Sequence, residues 1–318
     1  MNEIAENAGN SSARPVAVCV CTFRRPRQLS RLLSALLEIR QPGAICFVIV
    51  DNDGLDPAVE ALVADFRTRV GAPVEYVVEC RPGISAARNT AIRVARRSGA
   101  GLIAMLDDDE WPSRDWLLNL LAAQKASGAA AVGGPVEPVF EPNSPVPKKF
   151  EQLWSVRQGR LKGRLYVYCT CNCLLDLHGI AFLGDTPFPE DFGVSGGEDA
   201  VFFRRLFFAG ARMAWTEEAL VFEEIPAHRA TLDWMRRRWY RHGNVGLRCE
   251  LAAPGPGDLR PFLKTALLCA RLPLYPLLSR NPVRGALLWF LEAERVRGRI
   301  AAHFGLVREE YARSSANS

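Results

Sequence analysis

The stretch GLIAMLDDDEWP (residues 101–112) carries an apolar run straight into three consecutive aspartates and closes on Trp-Pro. A short apolar run bounded by turn residues reads as a buried strand, which puts the carboxylates at its carboxyl end. Adjacent like charges repel, so these three are either fully solvated or answered by something positive. Asp107 and Asp109 are one residue apart, so at a strand terminus their side chains project towards the same side. Two hard oxygen donors in that arrangement suit Mg2+ or Mn2+ held together with a phosphate ligand, and the cation removes the like-charge penalty. A bare Asp-X-Asp is common in solvated loops; its position after an apolar strand is what favours a metal.

The same apolar-then-polar pattern recurs upstream. PVAVCVCT (15–22) is a β-branched run, followed by LSRLLSALLEI, whose Leu29, Leu32, Leu33, Leu36 and Leu37 fall on one helical stripe. ICFVIVDN (45–52) and VEYVVE (74–79) read as further strands, with helices over 58–69, 84–97 and 114–127 between and after them. This β-α alternation predicts an α/β fold with a mainly parallel, Rossmann-like sheet flanked by helices on both faces. Such sheets bind ligands at the carboxyl ends of their strands. Standing there are Thr22 to Arg24, Asp51 to Asp53, Arg81 to Gly83, and Asp107 to Asp109.

Beyond the sheet the chain changes character. Residues 138–164 are rich in Pro and Lys/Arg and read as a crossover or mobile flap, and LYVYCTCNCLL (165–175) returns to a strand pattern. GGEDAVFFRRLFFAG (196–210) is a loop leading into a helix that buries Phe202, Phe203 and Leu206. The remainder is predicted helical, with breaks at APGPGD and near SRNP. Cys169, Cys171 and Cys173 alternate along the predicted strand and face one way. Three ligands within five residues of one strand make a poor tetrahedral zinc site, so buried thiols are the preferred reading.

Length and composition bound the answer. The 318 residues, 48% hydrophobic and 24% charged, suit a soluble globular protein of one large or two modest domains. Residues 1–14 have no apolar core of a signal peptide and read as a short disordered leader, which argues against secretion. No uncharged apolar run approaches the roughly 20 residues of a spanning helix. The nine cysteines sit mostly in apolar segments, as reduced thiols in a cytosol would. The net charge of +5 hides an asymmetry: from Arg229 onward there are 16 Lys/Arg against 7 Asp/Glu, a balance of +9, which leaves −4 before it. The basic quarter suggests an anionic partner or solvated helix faces. The expected organisation is a leader (1–14), a sheet domain (15–228) and a basic, amphipathic helical C-terminal region (229–318).

VAVCVCTFRRP, VIVDNDG, RPGISAARNTAI, LDDDEWP and GGEDAVFFRRL, in this order and spacing, resemble the family 2 glycosyltransferases with the GT-A fold. The resemblance covers about residues 15 to 225 and is closest to bacterial exopolysaccharide and lipopolysaccharide enzymes of the succinoglycan glucosyltransferase type. It implies a nucleotide-sugar donor, UDP-hexose by preference, and transfer with inversion.

The resemblance also implies roles. Asp51 matches the acceptor for the uracil imide, a task suited to an ionised carboxylate. Thr22 and Arg24 match first-loop residues beside base and phosphate. Gly83 lets the backbone approach the nucleotide, and Arg88 matches a nucleotide-side arginine. A structural ion pair is the competing reading for Asp51 and Arg88. Asp107 matches the carboxylate nearest the ribose or metal, Asp109 the one that holds the cation, and Asn172 lies where relatives contact the donor sugar. Glu198-Asp199 matches an acidic pair in which Asp199 is the base and Glu198 orients substrate; alone, the pair would simply place negative charge at a helix N-terminus.

WMRRRWYRHGN (234–244) is similar to the Gln-X-X-Arg-Trp signature of processive synthases, but Met235 stands where the glutamine would be, which implies addition of a single sugar. Arg237 or Arg238 is the candidate for the pyrophosphate there; a solvated or lipid-facing basic helix is the equal alternative. The resemblance further implies a lipid-linked saccharide acceptor. With it comes peripheral contact through the C-terminal helices, on the cytoplasmic face of an inner membrane; packing of those helices on the core is the alternative. No nucleic acid is expected as a partner. A nucleotidyltransferase is disfavoured because CTFRRPRQLS lacks the glycines of its phosphate loop. A non-catalytic glycan- or membrane-binding subunit would not need both Asp109 and Asp199. No G-x-G-x-x-G follows the first strand, which sets aside a dinucleotide oxidoreductase.

Overall fold

The computed structural model describes residues 14–307 except 55, 143, 194 and 276–280. The expected leader, save Arg14, and part of the break near SRNP lie outside the described residues.

The parallel β-α core forms as the periodicity predicts. Strands β1 (Val16–Thr22), β2 (Ile45–Asp51), β3 (Val74–Val78) and β4 (Leu102–Asp107) alternate with helices α1 (Pro26–Glu38), α2 (Pro57–Arg69) and α3 (Ile84–Arg97). β1 pairs in parallel with both β2 and β4, and β2 with β3. The two-residue period of β1 sends Val16, Val18 and Val20 to one face and Ala17 and Cys19 to the other, all buried. The first face packs against Leu29, Leu32 and Leu36 of α1 and Phe66 of α2. The second packs against Ala87, Ala91 and Ile92 of α3. It also meets Phe202, Phe203 and Leu206 of the later helix described below. A central strand apolar on both faces is what a sheet covered on both sides demands.

The far half of the sheet is mixed. After β5 (Glu110–Pro112) and α4 (Trp116–Ser127), β6 (Ala131–Gly133) enters the sheet through β10 (Cys173–Asp176), which runs antiparallel to both β4 and β6. β11 (Met213–Trp215) completes the order β11-β6-β10-β4-β1-β2-β3. A second sheet, β5-β12-β7, joins β7 (Val136–Phe140) and β12 (Val221–Ile225) below the acidic turn.

Two expectations are corrected here. Residues 138–164 are not simply a crossover or flap. They supply most of β7, a short helix α5 (Lys148–Glu151) and the β8 strand (Gly159–Leu161) of a hairpin with β9 (Arg164–Tyr166). Trp154 of this segment packs edge-on against Phe140 and stacks on Trp234 at 6.3 Å, forming a seat for the C-terminal helices. The segment 165–175 is not one strand either: β9 ends at Tyr166 and β10 begins at Cys173. Asn172 between them adopts φ +56°, a left-handed conformation that breaks extended backbone. The three cysteines therefore do not share one strand face. The Cys169 and Cys171 thiols lie 3.0 Å apart in the connecting loop, while Cys173 is buried in β10.

Helix α6 (Glu198–Phe208) follows the GGED loop, and three further helices close the described chain: α7 (Leu232–Ala252), α8 (Pro261–Arg271) and α9 (Pro282–His303). α7 and α9 are packing helices. Gly243 faces the Arg295 carbonyl and Gly298 the Tyr240 carbonyl so closely that a Cβ would stand 1.8 and 1.9 Å from those oxygens. Met235 and Leu291 complete a small core with Trp154 and Ile225. The core-packing alternative thus holds for these two helices. α8 differs, leaving Phe262, Leu263 and Leu267 exposed. Among the described residues no helix is long and apolar enough to cross a membrane.

Candidate active site

The carboxyl ends of β1, β2 and β4 open into a cleft of about 410 Å³. It is lined by Thr22, Arg25, Asn52, Gly83, Arg88 and Asp107 to Asp109 from the first part of the chain, and by Glu223, Arg229, Trp234, Arg238 and Arg241 from its later part.

The acidic turn has positive partners within the protein. Arg88 donates to Asp107 at 3.1 Å; Arg25 donates to Asp108 at 2.8 Å and to Asp109 at 3.0 Å; Arg229 donates to Asp109 at 3.1 Å. Asp108 is the most enclosed of the three. It is buried, accepts from the Thr22 hydroxyl at 3.0 Å, and burial pushes its carboxyl up to about 6, with Arg25 opposing and Asp109 adding to the shift. Glu110 folds back to accept from the Asp107 N–H at 2.9 Å, and burial raises its pKa well above the usual range. Among the described residues, Asp107 Oδ2 and Asp109 Oδ1 have no hydrogen-bond partner. These are two hard oxygen donors beside the cleft, a set that fits Mg2+ or Mn2+ completed by water and phosphate oxygens. No cluster of three or more His, Cys, Asp or Glu is arranged for a metal among the described residues.

Glu198 and Asp199 reach the same region through Arg88. The fully helical start of α6 places Glu198 inside, where one oxygen accepts from Arg88 and the other is buried without a partner. Burial pushes Glu198 up to about 7, Arg88 pulling the other way and Asp199 reinforcing the rise. Asp199 is half-buried and accepts from the Ala200 N–H at 2.7 Å. Its pKa is also raised, chiefly by burial, with Arg88 and Arg241 lowering it and Asp107 raising it. The acidic turn and the acidic pair are thus neighbours, bridged by one guanidinium.

Gly83 caps α3 at φ +105° and lines the cleft; a Cβ there would stand 2.9 Å from the backbone of Gly193. Its N–H donates to Asn52 Oδ1 at 3.1 Å, while Asn52 Nδ2 donates to the carbonyls of Glu79 and Arg81.

Three expected residues sit elsewhere. Arg24 is exposed and paired with Asp53 at 2.7 Å, because its φ of +54° turns it outward and leaves Arg25 facing the aspartates. Asp51 is fully buried, accepting from the Asp53 N–H at 3.0 Å and the Tyr76 hydroxyl at 3.1 Å. Asn172 is buried and is not among the residues lining the cleft: it accepts from Trp116 Nε1 at 2.7 Å and donates to the carbonyls of Pro135 and Ala219 at 2.8 and 2.7 Å. Of the two candidate arginines on α7, Arg238 lines the cleft, whereas Arg237 pairs with Asp233 on the outer face.

Arg25, Glu223, Arg229, Trp234 and Arg241 have no counterpart in the residues singled out from sequence, and Asn52 entered only within the run Asp51 to Asp53. Arg25 and Asn52 stood inside quoted motifs, one position from the residues chosen. Glu223, pushed up to about 7 by burial and by Asp109, lies in a strand with no motif, and Arg229 in a turn.

Residues 17–178 match the model of Glycosyl transferase family 2. The chain is 35% identical over 257 residues to the succinoglycan biosynthesis protein ExoM of Rhizobium meliloti, covering 80% of this chain and 81% of that protein. It is 25% identical over 272 residues to a glucosyl-dolichyl phosphate glucuronosyltransferase of Haloferax volcanii, covering 80% and 83%. Among solved structures, the mannosyltransferase PcManGT from Pyrobaculum calidifontis, in complex with GDP-Man and Mn2+, is similar in fold. It superposes with a TM-score of 0.61 at 20% identity, over 93% of this chain and 88% of that one. With its α/β sheet, its helical C-terminal region and these relatives, the chain belongs to glycosyl transferase family 2 and is a glycosyltransferase of the GT-A fold.

Proposed function

We propose that this glycosyltransferase transfers one hexose, with inversion and with a divalent cation, from a nucleotide sugar of the UDP type to a lipid-linked saccharide. The observation that carries the reading is the Arg88 bridge, which joins Asp107, a residue lining the cleft, to Glu198 of the acidic pair. Asp107 and Asp109 would hold Mn2+ or Mg2+, which supplies Lewis-acid stabilisation of charge on the departing nucleoside diphosphate. Thr22, Asn52 and Gly83 shape the nucleotide side of the cleft, and Arg88 and Arg238 offer charge to the diphosphate. Asp51 serves the base only if it exchanges its bond to Tyr76 or Asp53.

Asp199 takes the proton of the acceptor hydroxyl as that oxygen attacks the anomeric carbon. Burial raises its pKa, which makes it a stronger proton acceptor than an exposed carboxylate. Glu198, held by Arg88, orients the sugar and keeps the guanidinium in place. The bound GDP-Man and Mn2+ of PcManGT, the role of ExoM in succinoglycan biosynthesis and the glucosyl-dolichyl phosphate specificity of the glucuronosyltransferase support a nucleotide-sugar donor and a saccharide or lipid-linked acceptor. We read residues 15–228 as the donor-binding unit and 229–318 as its helical cover. α7 contributes Trp234, Arg238 and Arg241 to the cleft, which ties the two together. The exposed Phe262, Leu263 and Leu267 of α8 support peripheral attachment to the cytoplasmic face of a membrane.

Asp199→Asn is the test. Nucleotide and Mn2+ binding, measured by calorimetry, should persist while transfer to a lipid-linked acceptor drops by about 10²–10⁴-fold. Full transfer by this variant removes Asp199 as the base.

A further inference from the structure

Two guanidiniums already occupy the carboxylates that the acidic turn presents. Arg25 Nη1 bridges Asp108 and Asp109 at 2.8 and 3.0 Å. Arg229 Nη1 stands 3.1 Å from the same Asp109 oxygen and 3.6 Å from Glu223. All five residues line the cleft. The arginines arrive from opposite sides, Arg25 from the cap of α1 and Arg229 from the turn between β12 and α7. The turn is anchored through its backbone, since Trp154 Nε1 donates to the Arg229 carbonyl at 3.3 Å. Both side chains retain solvent access, 36% for Arg25 and 22% for Arg229, so each can leave its carboxylate without unfolding its surroundings. A guanidinium binds phosphate as readily as carboxylate, often through two parallel N–H bonds.

We propose that Arg25 and Arg229 are exchangeable counter-ions of the acidic turn, holding Asp109 in the donor-free protein and passing to the donor's diphosphate when a divalent cation takes that carboxylate. This rests on the metal reading of Asp107 and Asp109. The consequence is linkage. A cation arriving alone on the free Asp109 Oδ1 shares one carboxylate's charge with the two guanidiniums on Oδ2, and stands beside those like charges with no anion for them to bind. When a diphosphate comes with the cation, the displaced arginines gain new acceptors. Each ligand then raises the affinity of the other by the same factor, and the arginines set its size. They are positioning residues whose signature is in binding, separate from the turnover step.

The experiment titrates Mn2+ into the full chain, following the paramagnetic resonance of the free ion, with no nucleotide, with UDP and with GDP. Wild type is expected to bind Mn2+ weakly alone and at least ~5-fold more tightly with one of the diphosphates, within the usual range of coupling. Arg229→Gln should bind Mn2+ more tightly alone, with a smaller gain from the diphosphate, and Arg25→Gln should repeat the pattern. Arg229→Lys, which keeps the charge without the fork, should recover part of the coupling. Damage to the fold would weaken the ion in every condition, opposite to the predicted rise. Wild-type coupling with unchanged Mn2+ affinity in Arg229→Gln overturns the exchange and leaves the metal reading standing. Failure of wild type to bind Mn2+ with either diphosphate overturns both.

Discussion

Arg88 donates from one guanidinium nitrogen to Glu198 at the start of α6 and from the other, at 3.1 Å, to Asp107 at the end of β4. One buried cation thus holds together the two acidic groups that the proposed chemistry divides between donor and acceptor. Arg88→Ala would leave Glu198 enclosed without counter-charge. Breaking a buried pair this way costs about 3–5 kcal/mol, and urea unfolding should show a loss of that order. Arg88→Lys should cost less stability yet still impair transfer, because an ammonium cannot span both carboxylates.

The enclosed carboxyls set a pH dependence. Burial pushes Glu198 and Glu223 up to about 7 and Asp108 up to about 6. In the unfolded chain such groups titrate at about 4, so the native state binds more protons between roughly pH 4 and 7. The stabilisation they contribute is complete below the unfolded values and is lost as pH rises through 6 to 7. The melting temperature of the ligand-free protein should therefore fall across that interval, as differential scanning calorimetry can record. Transfer should run the other way, rising with pH as Asp199, whose pKa burial raises, loses its proton.

Asn172 discriminates scaffold from site. Asn172→Ala removes partners from Trp116 Nε1 and from two buried carbonyls, each worth about 1–3 kcal/mol when left unsatisfied. The expected outcome is a lowered urea midpoint with an unchanged KM for the donor in protein that remains folded. A selective rise in donor KM without loss of stability would return Asn172 to the sugar pocket.

Gly243→Ala tests the α7–α9 contact. A methyl group there would stand 1.8 Å from the Arg295 carbonyl oxygen, so the helices must separate. Overpacking of this kind costs about 1–3 kcal/mol. Because α7 carries Arg238 and Arg241 into the cleft, nucleotide affinity should fall together with stability. Loss of stability with unchanged nucleotide affinity would uncouple the helical cover from the site.

Much of the fold was legible because the β-α half of the chain obeys local periodicity. The alternation in PVAVCVCT and the leucine stripe after it appear in β1 and α1 as two buried faces and one packed helix side. Residues 165–175 were not legible, since a side-chain pattern of strand type was overridden at Asn172 by hydrogen bonds to residues distant in sequence. Of the residues singled out through motifs, Thr22, Gly83, Arg88, Asp107 and Asp109 line the cleft, and Glu198 is joined to it through Arg88. Arg24 and Arg25 were exchanged because one positive φ decides which of two adjacent arginines turns inward.

By itself the sequence determined where the four parallel strands end and which acidic groups stand at those ends, because both follow from residue spacing along a local element. Only the tertiary structure decided what answers their charge. Arg25, Arg88 and Arg229 come from three separate segments, and no periodicity in the chain records that they converge on one turn. Charge compensation acts through distances of about 3 Å between groups remote in sequence, so it exists only once the sheet, α3 and the turn before α7 have packed together.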